Sequence, residues 1–344
     1  MIKKSNARLQ IVKAVLTLGC GLSFQNFTHI IFRPFEFNGY AQGTSYHIIY
    51  YAADSTVGKV QFNNIFNSID SSLSIYKPYS LINRFNQADS GVNVDQPLKT
   101  VVEKSLTVFQ DSNGLFDITI FPIVQAWGFG NKSVTVLPDS TKIKALLNCV
   151  GSGKIYLNHN FLGKSLPCVQ IDVNGIAQGY TVDVIADYLE KNNIHNYLVE
   201  VGGELMVKGY KEPGHEAMRI GIESPANYES GEPAMKRIIT LTQGAVTTSG
   251  NYRKQRTVNN KIISHLMNSK TGYPIHNEMI SATVIAKDAI TADGYDNVLM
   301  GLGVKDAMLF MNRHRDMEAY LIYYNPDGSM GETATPGFYK LIQD

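Results

Sequence analysis

Between residues 197 and 286 the chain crowds its strand-like segments together, at 197–201, 205–208, 219–223, 237–241, 245–248, 262–265 and 280–286, with helical spacing on either side of the block. A doubly wound parallel sheet needs a helix after each strand, so this distribution predicts an α+β architecture. Upstream, alternation over 44–51 predicts a strand, and apolar residues at Val60, Phe62, Ile65, Phe66, Ile69 and Leu73 predict a helix over 57–73. Pro97 suits the first turn of a second helix over 97–110. Residues 169–173 read as another strand, leading into Asn174 and Gly175 and then a helix with Val182, Ile185, Ala186 and Leu189 on one stripe. Helices over 290–302 and 305–313 precede a last strand over 319–324. No repeat, low-complexity tract or long linker interrupts the chain beyond residue 40, which predicts one domain over residues 36–344.

A hydrophobic content of 44% with only 18% charged residues supports a large core and excludes disordered and fibrous classes. Thirty-one Lys+Arg against thirty Asp+Glu leave a formal charge of +1, so no field draws nucleic acid or an anionic surface to the chain. Any phosphate must be met locally. Residues 1–30 stand apart: Lys3, Lys4, Arg8 and Lys13 precede an apolar run over 14–22, the order of an export signal or membrane anchor. Cys20 sits in a partial lipobox, with Thr17 where a lipoprotein signal prefers Leu, so lipidation and a plain signal or anchor both stay open. Cys149 and Cys168 form an even pair that either bridges in an oxidising compartment or stays as two buried thiols.

Three glycine-bearing polar turns carry candidate chemistry. In Gly114-Leu115-Phe116-Asp117-Ile118-Thr119, a carboxylate beside aromatic residues suits the N–H groups of a heterocycle, and equally suits capping a turn. In Asp172-Val173-Asn174-Gly175-Ile176-Ala177-Gln178-Gly179-Tyr180, glycines before a helix let backbone amides approach a phosphate, although a plain tight turn reads the same way and the spacing is not GxGxxG. In Thr291-Ala292-Asp293-Gly294-Tyr295-Asp296-Asn297, Asp293 and Asn297 share a helix face with Asp296 beside them. Such an all-oxygen trio suits a hard cation such as Mg2+, and ordinary surface helices also carry it. A hydroxyl run over 247–249 leads to Arg253, and His265 ends an apolar strand, as a core histidine or a proton acceptor.

Taken in order, Ala41-Gln42-Gly43-Thr44, Leu73-Ser74-Ile75-Tyr76, the Gly114 turn with Pro122 and Trp127-Gly128-Phe129-Gly130, the Asp172 turn followed by Asp183, Val201-Gly202-Gly203-Glu204-Leu205, Thr248-Ser249-Gly250-Asn251-Tyr252-Arg253, Ser264-His265, Thr271-Gly272 and Ala292-Asp293-Gly294-Tyr295-Asp296 resemble the ApbE family of FAD:protein FMN transferases. The resemblance runs from about Gly39 to the C-terminus. It implies an ApbE-like (T-fold-like) fold, α+β with mixed sheets flanked by helices and an FAD and Mg2+ site in a cleft between them. It also implies Mg2+-dependent transfer of FMN from FAD to a Ser or Thr hydroxyl, with release of AMP.

The resemblance places Gln42, Tyr76, Leu115, Phe116, Asp117, Asp172, Gln178 and Met267 around FAD, and Gly175 (through its carbonyl), Asp293, Asn297 and Asp296 around the metal. His265 is the candidate base. The implied acceptors are flavoprotein subunits of membrane redox pumps, of the sodium-translocating NADH:quinone reductase or Rnf type. That agrees with an exported chain tethered, by lipid or helix, at the periplasmic face of the inner membrane. Three positions depart from the family pattern: Gln42 stands for Met, Gln178 for Lys or an acid, and Asn297 for Thr. Gln178 supplies no charge, and Asn297 keeps an oxygen donor. An FAD pyrophosphatase, with water in place of the acceptor, and an FAD-binding protein without turnover are the alternatives. With the metal residues read as a helix face near a cleft, Asp293→Ala is expected to lower turnover far more than it disturbs the fold.

Overall fold

The computed structural model describes residues 31–55, 57–224, 234–252, 255–258 and 261–343, and the region from Phe32 onward is one compact unit. The leader over 1–30, Cys20 and Arg253 lie outside the described residues. Among the described residues no helix is long and apolar enough to cross a membrane.

An eight-stranded sheet forms the centre, and its strands neighbour one another in chain order: β1 (Arg33–Ala41), β2 (Thr44–Ala52), β3 (Tyr197–Val201), β4 (Glu204–Lys208), β5 (Gln243–Gly250), β6 (Met279–Ala286), β7 (Glu318–Tyr324) and β8 (Met330–Ala334). Every pairing in it is antiparallel. Two-residue turns close the first two hairpins, and both central residues have positive φ, 53° and 78° at Gln42-Gly43 and 68° and 104° at Gly202-Gly203. Such turns match the right-handed twist of the strands they join.

Alternation decides which side chains face which layer. Along β2, Tyr46, Ile48 and Tyr50 point into one core, while Tyr51 joins another on the opposite face. The first core is completed by helices α1 (Lys59–Leu73), α2 (Gln96–Asp111), α3 (Ala177–Lys191) and α4 (Ala289–Leu302), through Phe62, Val108, Leu189 and Leu299 among others. A three-stranded sheet of Met218–Ser224, Ala234–Leu241 and Ile342–Gln343 covers the other face, bringing Ile220 and Ile239 against Val207 and Ile280. Covered on both sides, β6 buries all of its residues, Ser281 and Thr283 included. Full burial of each large side chain is worth about 1.5–3 kcal/mol.

The long connection between β2 and β3 holds α1, α2 and α3 and a core of its own, around Ile82, Phe85, Leu98, Leu162, Ile171 and Ile176. Here the predicted strand over 169–173 fails. Val169, Ile171 and Val173 are buried with strand-like alternation, but the backbone finds a side chain where a ladder was expected. Ile171 N–H donates to Asn86 Oδ1 (2.7 Å), Asn86 Nδ2 donates back to the Ile171 carbonyl (2.9 Å), and Asp172 N–H donates to the Ile118 carbonyl (2.8 Å). Buried Lys164 Nζ donates to the Pro167 and Val169 carbonyls at 3.1 and 2.8 Å. An extended segment needs its amides satisfied and does not need a strand to do it. Cys149 and Cys168, which the sequence left open, are joined in a disulfide with their Cα atoms 5.5 Å apart.

Candidate functional site

Two chambers share Tyr76 and Asn174 as a common wall, and the larger opens beside the tip of the β1–β2 hairpin. The larger, about 750 Å3, is lined by Gln42 and Gly43 of the hairpin, by the polar stripe Asn63, Asn67 and Asp70 of α1, and by Gln178 at the start of α3. The smaller, about 250 Å3, is lined by Leu115, Phe116, Asp117, Asp172, Gly175, His265, Met267 and Asn297. Segments far apart in sequence therefore converge, and each residue that the family resemblance assigns to FAD lines one chamber or the other.

Local structure explains their placement. Gln42 holds a left-handed conformation at the hairpin tip, uncommon for a residue with a side chain and frequent where function constrains the backbone. The Gly114 turn is tied to the His265 region by Ser269 Oγ, which donates to the Gly114 carbonyl (2.5 Å), and by Trp127 Nε1, which donates to the Gly272 carbonyl (2.8 Å). His265 follows the short strand Lys261–Ser264, its ring 6.3 Å from that of Phe129. It is half-buried at a chamber wall and is not a core histidine.

Asp117 carries out the turn-capping role while lining the chamber. Its Oδ1 accepts from Thr119 N–H (2.8 Å), Thr119 Oγ1 (2.6 Å) and Ser152 Oγ (2.7 Å), and its Oδ2 accepts from Ser152 N–H (3.0 Å). Asp172 Oδ1 accepts from Asn174 N–H (2.9 Å), which orders the turn, and Asn174 Nδ2 reaches Tyr76 Oη at 3.4 Å. Burial first, and the negative Asp172 second, push the Tyr76 hydroxyl above the usual phenol range, so it stays protonated while it accepts from Asn174.

The cation candidates sit one layer deeper than the sequence implied. Gly175 and Asn297 line the smaller chamber, whereas Asp293 and Asp296 are 4% and 1% exposed and stand behind them. The picture of an exposed helix face is thus corrected: α4 is buried almost all round because α2, α3 and the sheet enclose it. Asp293 Oδ2 accepts the Gly179 N–H (2.8 Å), an amide of the first turn of α3, which has no side-chain cap of its own. Asp183 of α3 answers by accepting the Ala289 and Ile290 N–H groups at the start of α4 (2.7 and 2.9 Å). Burial pushes the Asp183 carboxyl up to about 7, against the pull of those two amides, with Asp288 and Asp187 adding to the rise.

Among the described residues no group of three or more His, Cys, Asp or Glu could hold a metal. A cation here would need the Gly175 carbonyl and the Asn297 amide beside the two carboxylates. One amide nitrogen, Asn297 Nδ2, already gathers the Gly175 carbonyl (3.3 Å), the Asp293 main-chain carbonyl (2.9 Å) and Asp296 Oδ1 (2.9 Å), so oxygens of three residues, one of them a carboxylate, converge on one point, while the Asp293 carboxylate caps Gly179. Such oxygen donors are of the kind that suits Mg2+.

Sequence reading missed Asn63, Asn67 and Asp70. Their spacing repeats down one side of α1, beside the apolar Phe62, Phe66 and Ile69, and that stripe was the available signal. In the hydroxyl run, Ser249 Oγ donates to Asn297 Oδ1 (3.4 Å), Thr248 and Thr283 pair through their hydroxyls (2.9 Å), and Asn251 Nδ2 donates to the Met279 carbonyl (2.7 Å).

Comparison with known proteins agrees with this geometry. A Haemophilus influenzae protein is 31% identical over 350 residues, 97% of this chain and 99% of its own length. A Vibrio cholerae protein is 33% identical over 278 residues, 79% of this chain and 82% of its own. Both are named FAD:protein FMN transferase. The solved flavin transferase ApbE from Vibrio cholerae superposes with a TM-score of 0.81 at 30% identity, covering 90% of this chain and 99% of that one. The apo flavinyl transferase ApbE of Pseudomonas stutzeri gives 0.81 at 29% identity, covering 90% and 97%. The ApbE family model matches residues 42–321, which include the central strands of the sheet, every residue of the smaller chamber and the buried carboxylates, and the chain belongs to the ApbE family.

Proposed function

We propose that the chain transfers FMN from FAD to a Ser or Thr hydroxyl of a target flavoprotein subunit and releases AMP. The observation that carries this reading is the double chamber, with apolar and aromatic walls, carboxylates and further oxygen donors in the smaller one and a polar stripe in the larger. Tyr76 and Phe116 offer flat faces to a heterocycle, and Asp117 and Asp172 offer acceptors for its N–H or for ribose hydroxyls. Gln42 and Gln178 serve the larger chamber through neutral hydrogen bonds.

In the reaction the acceptor oxygen attacks the phosphorus on the FMN side of the diphosphate, a phosphate ester forms, and the P–O bond to AMP breaks. His265, at the wall of the smaller chamber, takes the proton that leaves the hydroxyl. The protein's contribution is mostly positioning and charge stabilisation, as phosphoryl transfer requires. Gly175, Asp293, Asp296 and Asn297 would hold Mg2+, which when bound neutralises charge on the diphosphate.

The acceptors we assign are subunits of membrane redox pumps of the sodium-translocating NADH:quinone reductase or Rnf type. The chain works at the periplasmic face of the inner membrane, tethered through residues 1–30. The basic-then-apolar order of that leader and the Cys149–Cys168 bridge support an oxidising, exported location. The test is to incubate the protein with FAD, Mg2+ and such a subunit and weigh the subunit by mass spectrometry. Addition of one FMN, lost when the acceptor hydroxyl is replaced by Ala, is the expected result. Free FMN and AMP without adduct would mean hydrolysis, and unaltered bound FAD would mean no turnover; either result contradicts the transfer reading.

A further inference from the structure

The orientation of the Asn297 amide has a consequence for cation binding, resting on the cation site assigned above. Of the oxygens around Nδ2, the Gly175 and Asp293 carbonyls can only accept, and Asp296 Oδ1 belongs to a buried carboxyl group. At the other end of the amide stands the Ser249 hydroxyl, which donates to Oδ1. Three acceptors at one end and a donor-capable hydroxyl at the other decide which end is nitrogen. An N–H group cannot ligate a metal, whereas the oxygen of the same amide can.

We infer that Asn297 is a lock on the cation site. Without metal its NH2 group substitutes for the cation, holding the Gly175 carbonyl and Asp296 Oδ1, two of the oxygens a cation would collect. Binding a divalent ion then requires the amide to turn, so that Oδ1 replaces Nδ2 toward those oxygens and the three existing hydrogen bonds are given up. A Thr hydroxyl at this position would present oxygen without any such exchange. The chain therefore trades cation affinity for a metal-free site whose oxygens keep a positive partner. Removing that amide takes one hydrogen bond each from Gly175 O and Asp296 Oδ1, which is destabilising.

The test uses the full-length, metal-stripped protein and Mn2+ alone as the probe, an ion that accepts the same oxygen donors. Binding is read from the loss of the free-ion electron paramagnetic resonance signal, and Tm is measured without metal. Asn297→Thr is expected to bind Mn2+ about tenfold tighter than the natural protein, the scale of one or two hydrogen bonds no longer surrendered, and to melt lower when metal-free. Asn297→Ser, smaller and less demanding of space, is expected to move both quantities in the same directions and serves if the Thr variant does not fold. Equal affinity in the natural protein and both variants overturns the lock while leaving the cation site standing. If Asp296→Asn binds as tightly as the natural protein, or no form binds Mn2+, the cation site itself is refuted.

Discussion

The Asp293 carboxylate accepts the Gly179 N–H at 2.8 Å, so a side chain of α4 caps the helix that begins at the chamber wall. Asp183 returns the contact from α3 to the first amides of α4. The two helices are thus stitched by a carboxylate from each, and Asp293 has a structural task beside the cation-binding one proposed for it.

Substitution of Asp293 separates the two tasks. Asp293→Ala leaves a buried amide unsatisfied and is expected to cost about 1–3 kcal/mol of stability as well as activity. Asp293→Asn keeps an acceptor for Gly179 and is expected to retain most of the Tm while losing AMP release. Thermal melts and product assays on both variants check this, and equal melting of Asp293→Ala and the natural protein would contradict it.

Gly179 is required by close approach. A Cβ there would stand 2.3 Å from the Ala289 carbonyl oxygen and 2.8 Å from Asp293 Cβ, so α3 and α4 would have to move apart. Gly179→Ala is expected to destabilise by roughly 1–3 kcal/mol, the usual cost of overpacking, despite the better helix propensity of Ala. Denaturant titration measures it.

Asp183 gives the fold a pH dependence of known sign. Its carboxyl is raised from 3.8 to about 7 in the folded chain, so between those values the folded state keeps a proton that the unfolded state has lost, and this contribution to stability falls as pH rises and levels off above about 7. Asp183→Asn removes that contribution. The Tm advantage of the natural protein over the variant is expected to shrink from about pH 4 to about pH 7, and a constant difference would contradict it.

The disulfide clamps two segments that meet at the smaller chamber. Just beyond Cys149, the Gly151 and Ser152 amides donate to Thr119 Oγ1 and to Asp117 Oδ2, and the chain beyond Cys168 leads to Asp172. Cys149→Ser with Cys168→Ser is expected to lower stability by about 3 kcal/mol, the loop-closure value for a bridge of this span, and to weaken FAD binding in fluorescence titration.

Much of this was readable in the residues themselves. Along 44–51 one face, Tyr46, Ile48 and Tyr50, is fully buried and the other less so, and the stripe of Phe62, Phe66 and Ile69 is the buried face of α1, so pattern and structure agree there. Residues 169–173 show the same burial without a strand, because alternation reports which side chains are buried and says nothing of what pairs with the backbone; Asn86, far away in sequence, does that. The motifs named residues that do line the two chambers, since glycines and carboxylates mark turns where the backbone can approach a ligand closely. The depth of Asp293 and Asp296 was not readable, because a trio of oxygen side chains has the same spacing on an exposed helix as on one enclosed by α2, α3 and the sheet. Nor was the direction of the Asn297 amide, which depends on carbonyls contributed by another segment.

The most direct test of the central claim is the ratio of products. The purified chain is given FAD, Mg2+ and an acceptor subunit, AMP is quantified by chromatography, and FMN ester is quantified on the acceptor by intact mass. The account predicts one AMP released for each FMN attached, with both lost in Asp172→Ala. AMP accumulating without the ester, or ester formation unaffected by Asp172→Ala, would contradict it.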